Sequence, residues 1–209
     1  KAEQSPLTKA YFEKAAQFES DPKIAAAMRA FAANPNDAEA IAVLRANPAT
    51  VGKIGTTCVP TMVSAGHAQN ALPQRAAANV NCRIFPGHSR EEIRQHLEKV
   101  VNMPVVKITD VTGEDSTASP ASPLRADFMT AAEKAIHKAY PKVPIIPSQA
   151  SGASDSMWYR ALGVDSYGAS PLFSKDSDDY SHGLNERIHL SNTAPAITYY
   201  LSLFGDLSK

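Results

Sequence analysis

The chain has 209 residues, 44% hydrophobic and 20% charged, with Lys plus Arg and Asp plus Glu balanced at 21 each. That is an ordinary globular make-up, long enough for one large domain or two small ones. Balanced charge speaks against a nucleic-acid or anionic-membrane partner, since both need a basic excess, and no apolar run approaches the ~20 residues of a membrane-spanning helix. No signal peptide is visible. The chain begins at Lys1 rather than a methionine, which reads as a processed protein or a piece of something longer.

Residues 6–46 have a helical period. Leu7, Tyr11, Phe12, Ala15 and Phe18 recur in three- and four-residue steps, as do Ile24, Ala27, Met28 and Phe31, and then Ile41 and Leu44. Pro22, Pro35 and Pro48 punctuate the run, with Asp21 and Asn34 as N-caps before the first two. Two or three short helices are expected.

The Thr- and Val-rich segment 54–65, IGTTCVPTMVSA, suits a strand. GHAQNALP follows as a turn. In 75–85 the period becomes two: Ala76, Ala78, Val80, Cys82 and Ile84 share one face, and Arg75, Asn79, Asn81 and Arg83 the other. This predicts a half-buried strand with a polar outer side. Ser89 and Glu92 have capping-box spacing before a helix striped by Ile93, Leu97 and Val100. PVVKITDV, 104–111, reads as a further strand. The order is that of a split β-α-β sandwich, a ferredoxin-like α+β fold, with its first strand missing.

GEDSTASPASP, 113–123, is a linker candidate. Beyond it, Pro123 opens a helix with Ser122 as cap and Leu124, Phe128, Ala131, Ala135 and Ile136 as its buried stripe. VPIIPS and VDSYGAS read as short strands around a turn, SGASD, and a short helix, SMWYRAL. A last helix covers roughly 192–207. The alternation suggests an α/β layered domain, although two strands are too few for a stable doubly wound sheet.

Chemistry-bearing residues are scattered. His182 sits in the polar loop DDYSHGLNERI with Asp176, Asp178, Asp179 and Glu186 nearby. Zinc takes three or four such ligands, and spacing alone makes His182 a plain loop histidine. His67, His88, His96, His137 and His189 read as structural. SGASDS half-fits a G-x-S-x-G elbow, with Ser156 where the second glycine belongs. A Ser154, Asp178 or Asp179, His182 order would match a serine hydrolase, but no oxyanion loop is visible; Ser154 or Asp155 as a helix cap is the simpler reading. Arg83 has a fork suited to a carboxylate, yet by period it is a solvated strand residue. Asn70 is either a turn residue or a donor to a substrate carbonyl.

In order, TTCVPTMVSAGHAQNALPQRAAANVNCRIFPG, SGASDS, YGASPLF and HGLNERI resemble the lid and C-terminal part of dinuclear zinc amidohydrolases, the family of glutamate carboxypeptidase, aminoacylase and succinyl-diaminopimelate desuccinylase. NALPQRA…NCRIFPG and HGLNERI are the most specific pieces. The resemblance implies a lid or dimerisation domain over residues 1–112, followed over 113–209 by the C-terminal half of an α/β/α zinc-peptidase catalytic domain. It implies His182 as a metal ligand and Asn70 as the lid residue that reaches a substrate carbonyl, in some members in the partner subunit's site. Arg83 is implied to grip the substrate carboxylate, and Gly152, Ala153 and Ser154 to line the pocket. Its further implications are two zinc ions, a small N-acyl amino acid or peptide substrate, and a homodimer through the lid.

The family's H-x-D motif, bridging carboxylate and Glu general base are not in these residues. They are expected in a first catalytic half, N-terminal to Lys1, so no catalytic residue is assigned here and the chain alone is expected to be inactive. The alternative is a non-catalytic dimerisation or binding module derived from the family. If the strands around residue 70 pair antiparallel, Cys58 and Cys82 stand opposite each other. A disulfide would then suggest a periplasmic or secreted protein; two buried free thiols would leave a cytoplasmic one open.

Overall fold

The structure, a computed structural model, describes every residue except Asp176, Ser177, Asp179 and His182. It has a mixed α/β fold and divides into two compact units. One comprises 1–120 with 146–161, the other 121–145 with 162–209.

The first unit begins with four helices: α1 (Pro6–Ala15), α2 (Pro22–Ala33), α3 (Ala38–Ala46) and α4 (Pro48–Val51). Three of them start with proline, whose missing N–H costs nothing there, behind a side-chain cap. Ser5 caps α1, Asp21 caps α2 and Asn47 caps α4. Asp37 caps α3 by accepting the Ala40 N–H at 2.9 Å. Asn34 is therefore not the cap the sequence suggested. It ends α2, and its side chain accepts the Asn36 N–H at 3.1 Å, making a turn through Pro35. Phe12, Phe31, Leu44 and Ile54 are fully buried and pack with Met28. The rings of Phe12 and Phe31 meet edge to face, centroids 5.4 Å apart. Phe18 falls beyond α1 and is exposed.

Strands β1 (Thr57–Ala65) and β2 (Ala76–Arg83) form an antiparallel pair running from Thr57↔Arg83 to Ala65↔Ala76. Cys58 faces Cys82, and a disulfide joins them. Thr61 bulges out of the register beside Pro60, which has no N–H for the ladder. Contrary to the half-buried strand expected from its period, β2 is exposed on both faces except for the partly covered Cys82.

Helix α5 (Arg90–Val101) carries the expected Ser89–Glu92 capping box and ends at Asn102 in the left-handed conformation (φ 47°). Residues 104–111 follow without joining the sheet. Two of their backbone groups are engaged elsewhere: the Val106 N–H closes a turn on the Met103 carbonyl, and Arg94 donates to the Ile108 carbonyl. Helix α7 (Ser156–Ala161) also belongs to this unit.

The second unit is built on α6 (Ala126–Ala139) and α8 (Thr193–Leu207). Ala131, Ala132, Ala135 and Ile136 pack against Tyr199 and Leu203. The small residues let the two helices approach closely. Ser122 does not cap α6; its hydroxyl donates to the Ser166 carbonyl (2.8 Å) and accepts the Ser166 N–H (2.9 Å). That bond takes a group a strand would have used, and neither 143–148 nor 164–170 forms a ladder. No helix among the described residues is long and apolar enough to cross a membrane.

Candidate substrate-carboxylate site

Arg83 closes β2, opposite Thr57. Its side chain is exposed, and it makes no hydrogen bond or ion pair with the described residues. Next to it lies the 151–155 turn. A Cβ built on Gly152 would stand 3.9 Å from the Arg83 Nη1. Two residues named from sequence, 69 positions apart, are thus neighbours, with a guanidinium fork beside a side-chain-free stretch of backbone. Such a fork offers a carboxylate two parallel N–H donors.

The turn is held from behind. Gly52, just past α4, lies so close to Ser151 that a Cβ on Gly52 would collide with the Ser151 Cβ. Lys53 donates from Nζ to the Gln149 carbonyl at 3.4 Å and lies over the Tyr11 ring, 5.1 Å from its centroid. Burial lowers the Lys53 pKa from its ordinary value. Burial, followed by the nearby Glu19, raises that of Tyr11. Ala153 and Ser154 are exposed. The Ser154 carbonyl accepts the Met157 N–H at 3.0 Å, so it is the Ser154 backbone that leads into α7.

Asn70 is exposed in the 66–75 loop, beyond the Ala76 end of β2. With about 3.3 Å per residue, Ala76 and Arg83 are roughly 23 Å apart along the strand. His182 lies outside the described residues, as does Asp179, so the serine-hydrolase triad cannot be traced through them. Around that position, Arg187 stacks over the Tyr180 ring at 3.4 Å and pairs with Asp178 at 3.8 Å.

Among the described residues no three His, Cys, Asp or Glu side chains gather to hold a metal ion. The described residues by themselves do not fit a zinc cage. His88, read as structural, contacts the Glu3 carboxylate through Nε2, with Glu92 3.8 Å from Nδ1. Its pKa is raised chiefly by the Glu3 hydrogen bond, partly opposed by burial. His137 meets the Val143 carbonyl, and His189 caps the 190–192 turn by accepting the Ser191 N–H. A separate groove of about 570 Å³ in the second unit is lined by Leu172, Ile188, Ile197, Leu201 and Phe204, and by none of the candidate site residues.

Gly52 and Lys53 were not among the residues picked from sequence. Lys53 meets its carbonyl partner 96 positions away, and neither residue stands in a motif.

Residues 24–109 match the peptidase dimerisation domain family. "Probable carboxypeptidase S-like 2" of Dictyostelium discoideum is 27% identical over 168 residues, 80% of this chain and 32% of that protein. The N-fatty-acyl-amino acid synthase/hydrolase PM20D1.1 of Danio rerio is 29% identical over 164 residues, 77% of this chain and 32% of that protein. The chain thus spans about a third of the length of these relatives. Its fold is similar to that of the M20 family metallo-carboxypeptidase Sso-CP2 from Sulfolobus solfataricus, with a TM-score of 0.60 and 15% identity, over 96% of this chain and 45% of that one.

Proposed function

We propose that the chain is part of an M20-type peptidase, and that it is the carboxylate-gripping part of a hydrolase that cuts an amide or peptide bond next to a free carboxylate. The observation that carries this reading is the Arg83 guanidinium beside Gly152, with its donors uncommitted among the described residues. The relatives' names, carboxypeptidase and fatty-acyl-amino acid hydrolase, suit substrates with a free carboxylate beside the cleaved bond. The complete enzyme is a zinc metallopeptidase or amidohydrolase, with His182 as one ligand and the remaining ligands and base in a first catalytic half outside these residues. In this division residues 1–112 are the lid and 113–209 the second catalytic half. The described residues hold and orient the substrate; they do not cleave it.

Homodimerisation through the lid is part of the proposal. Val59, Met62, Val63 and Val80 are large apolar side chains left exposed on the β1–β2 pair. The position of Asn70 in the loop at the far end from Arg83 supports its acting in the partner subunit's site. The Cys58–Cys82 disulfide supports a periplasmic or secreted location. A non-catalytic binding module is the second reading, favoured by the fall of the family match on the dimerisation domain.

Competition between an N-acyl amino acid and its methyl ester tests the carboxylate grip. The free acid is expected to bind, the ester to bind far more weakly, and Arg83→Met to erase the difference. Equal binding of acid and ester by the unaltered chain would overturn the reading.

A further inference from the structure

The geometry points to Gly52 and Lys53 as positioning residues: consecutive on the chain, they seat the 149–152 turn against Arg83 and so set how tightly a substrate carboxylate is held. The inference rests on the carboxylate reading of Arg83 and Gly152 given above. Nothing in the family match assigns either residue.

Two contacts support it. Lys53 Nζ reaches the carbonyl of Gln149, and Gly52 abuts Ser151, so the chain is held at two points immediately before Gly152. The support is itself anchored. Ile54, the next residue, is 1% exposed in the helical core. Two residues before Gly52, the buried Thr50 hydroxyl donates to the Leu44 carbonyl at 2.6 Å. Lys53 is fixed in turn by the Tyr11 ring and by partial burial of its stem. A turn held this way loses little freedom when a ligand binds, which is how preorganisation raises affinity.

The Gly52 contact is sterically specific. The atom that a Gly52→Ala methyl would meet is the Ser151 Cβ, which cannot rotate away. The turn must move, and with it Gly152. Ser151→Gly removes the obstructing Cβ and restores room for the methyl.

The test uses the whole 209-residue chain, N-acetylleucine as the probe, and the amide signals of Gly152 and Ala153 in an NMR titration. Gly52→Ala is expected to shift those signals before ligand is added and to weaken binding roughly tenfold or more. The double variant Gly52→Ala/Ser151→Gly is expected to recover most of that loss. Lys53→Met is expected to weaken binding in the same direction and Lys53→Arg to restore it. Unchanged urea midpoints in Gly52→Ala and Lys53→Met, beside the weakened binding, separate positioning from a merely structural defect. Should Gly52→Ala fail to fold, the two Lys53 variants decide alone. If Arg83→Met abolishes binding while Gly52→Ala and Lys53→Met bind like the unaltered chain, the positioning role is wrong and the carboxylate reading stands. If Arg83→Met binds normally, or the unaltered chain does not bind the probe, the carboxylate reading falls and this inference with it.

Discussion

Arg83 closes β2 at its Thr57 end, whereas Asn70 lies in the loop beyond the Ala76 end. The two residues proposed to act on one substrate therefore stand toward the two ends of a hairpin strand roughly 23 Å long. Two copies of the hairpin can bring the Asn70 end of one to the Arg83 end of the other. The chain is accordingly expected to sediment as a dimer. Met62→Glu combined with Val63→Glu is expected to give monomers, because charge on exposed apolar strand positions opposes their burial. A monomeric unaltered chain at high micromolar concentration would count against the lid as a self-association surface.

The disulfide between Cys58 and Cys82 closes a sequence separation of 24 residues. By the loop-entropy estimate such a crosslink contributes about 3 kcal/mol. A two-stranded pair exposed on both faces has little else to hold it. Reduction, or Cys58→Ser with Cys82→Ser, is expected to speed amide hydrogen exchange in β1 and β2 while leaving α1–α3 unchanged. Unchanged exchange in the strands would show that the crosslink is dispensable.

The Glu3–His88 contact gives a pH dependence whose sign is fixed. Glu3 and Glu92 face the imidazole, and its folded pKa lies above the ordinary value of about 6.5. The stabilisation is fully present below that ordinary value and is lost as pH rises through the raised one. Urea midpoints are expected to fall as pH rises from below the ordinary value through the raised one, and the fall to shrink in His88→Gln. An imidazole titrating at or below its ordinary pKa in an NMR series would refute the pairing.

The helical core offers a check on packing. Phe31 is fully buried against Phe12. Phe31→Ala is expected to cost about 3–5 kcal/mol in urea denaturation. A loss below about 1 kcal/mol would mean the site relaxes into the space or is not core.

Legibility in the sequence followed distance along the chain. Local signals served well. The Asp21 cap before Pro22, the Ser89–Glu92 box and the β1–β2 pair all rest on residues close in sequence or joined by one turn. Asn34 misled because asparagine suits a turn as well as a cap, and only the backbone hydrogen bonds tell the two apart. The segments 104–111, 143–148 and 164–170 have strand composition, but a ladder needs a partner, and the sheet among the described residues contains only β1 and β2. In the candidate site, Arg83 and Gly152 were marked by motif resemblance, and the structure makes them neighbours. Gly52 and Lys53 carried no such mark. Their importance is a contact across nearly half the chain, which no periodicity records.

Central to the account is a division of labour: these residues grip a carboxylate, and chemistry needs groups from outside them. The direct measurement is hydrolysis of N-acetylleucine by the 209-residue chain with zinc supplied, run beside a binding titration of the same compound. Binding without release of leucine above the buffer rate is the predicted result. Turnover by this chain alone would contradict it.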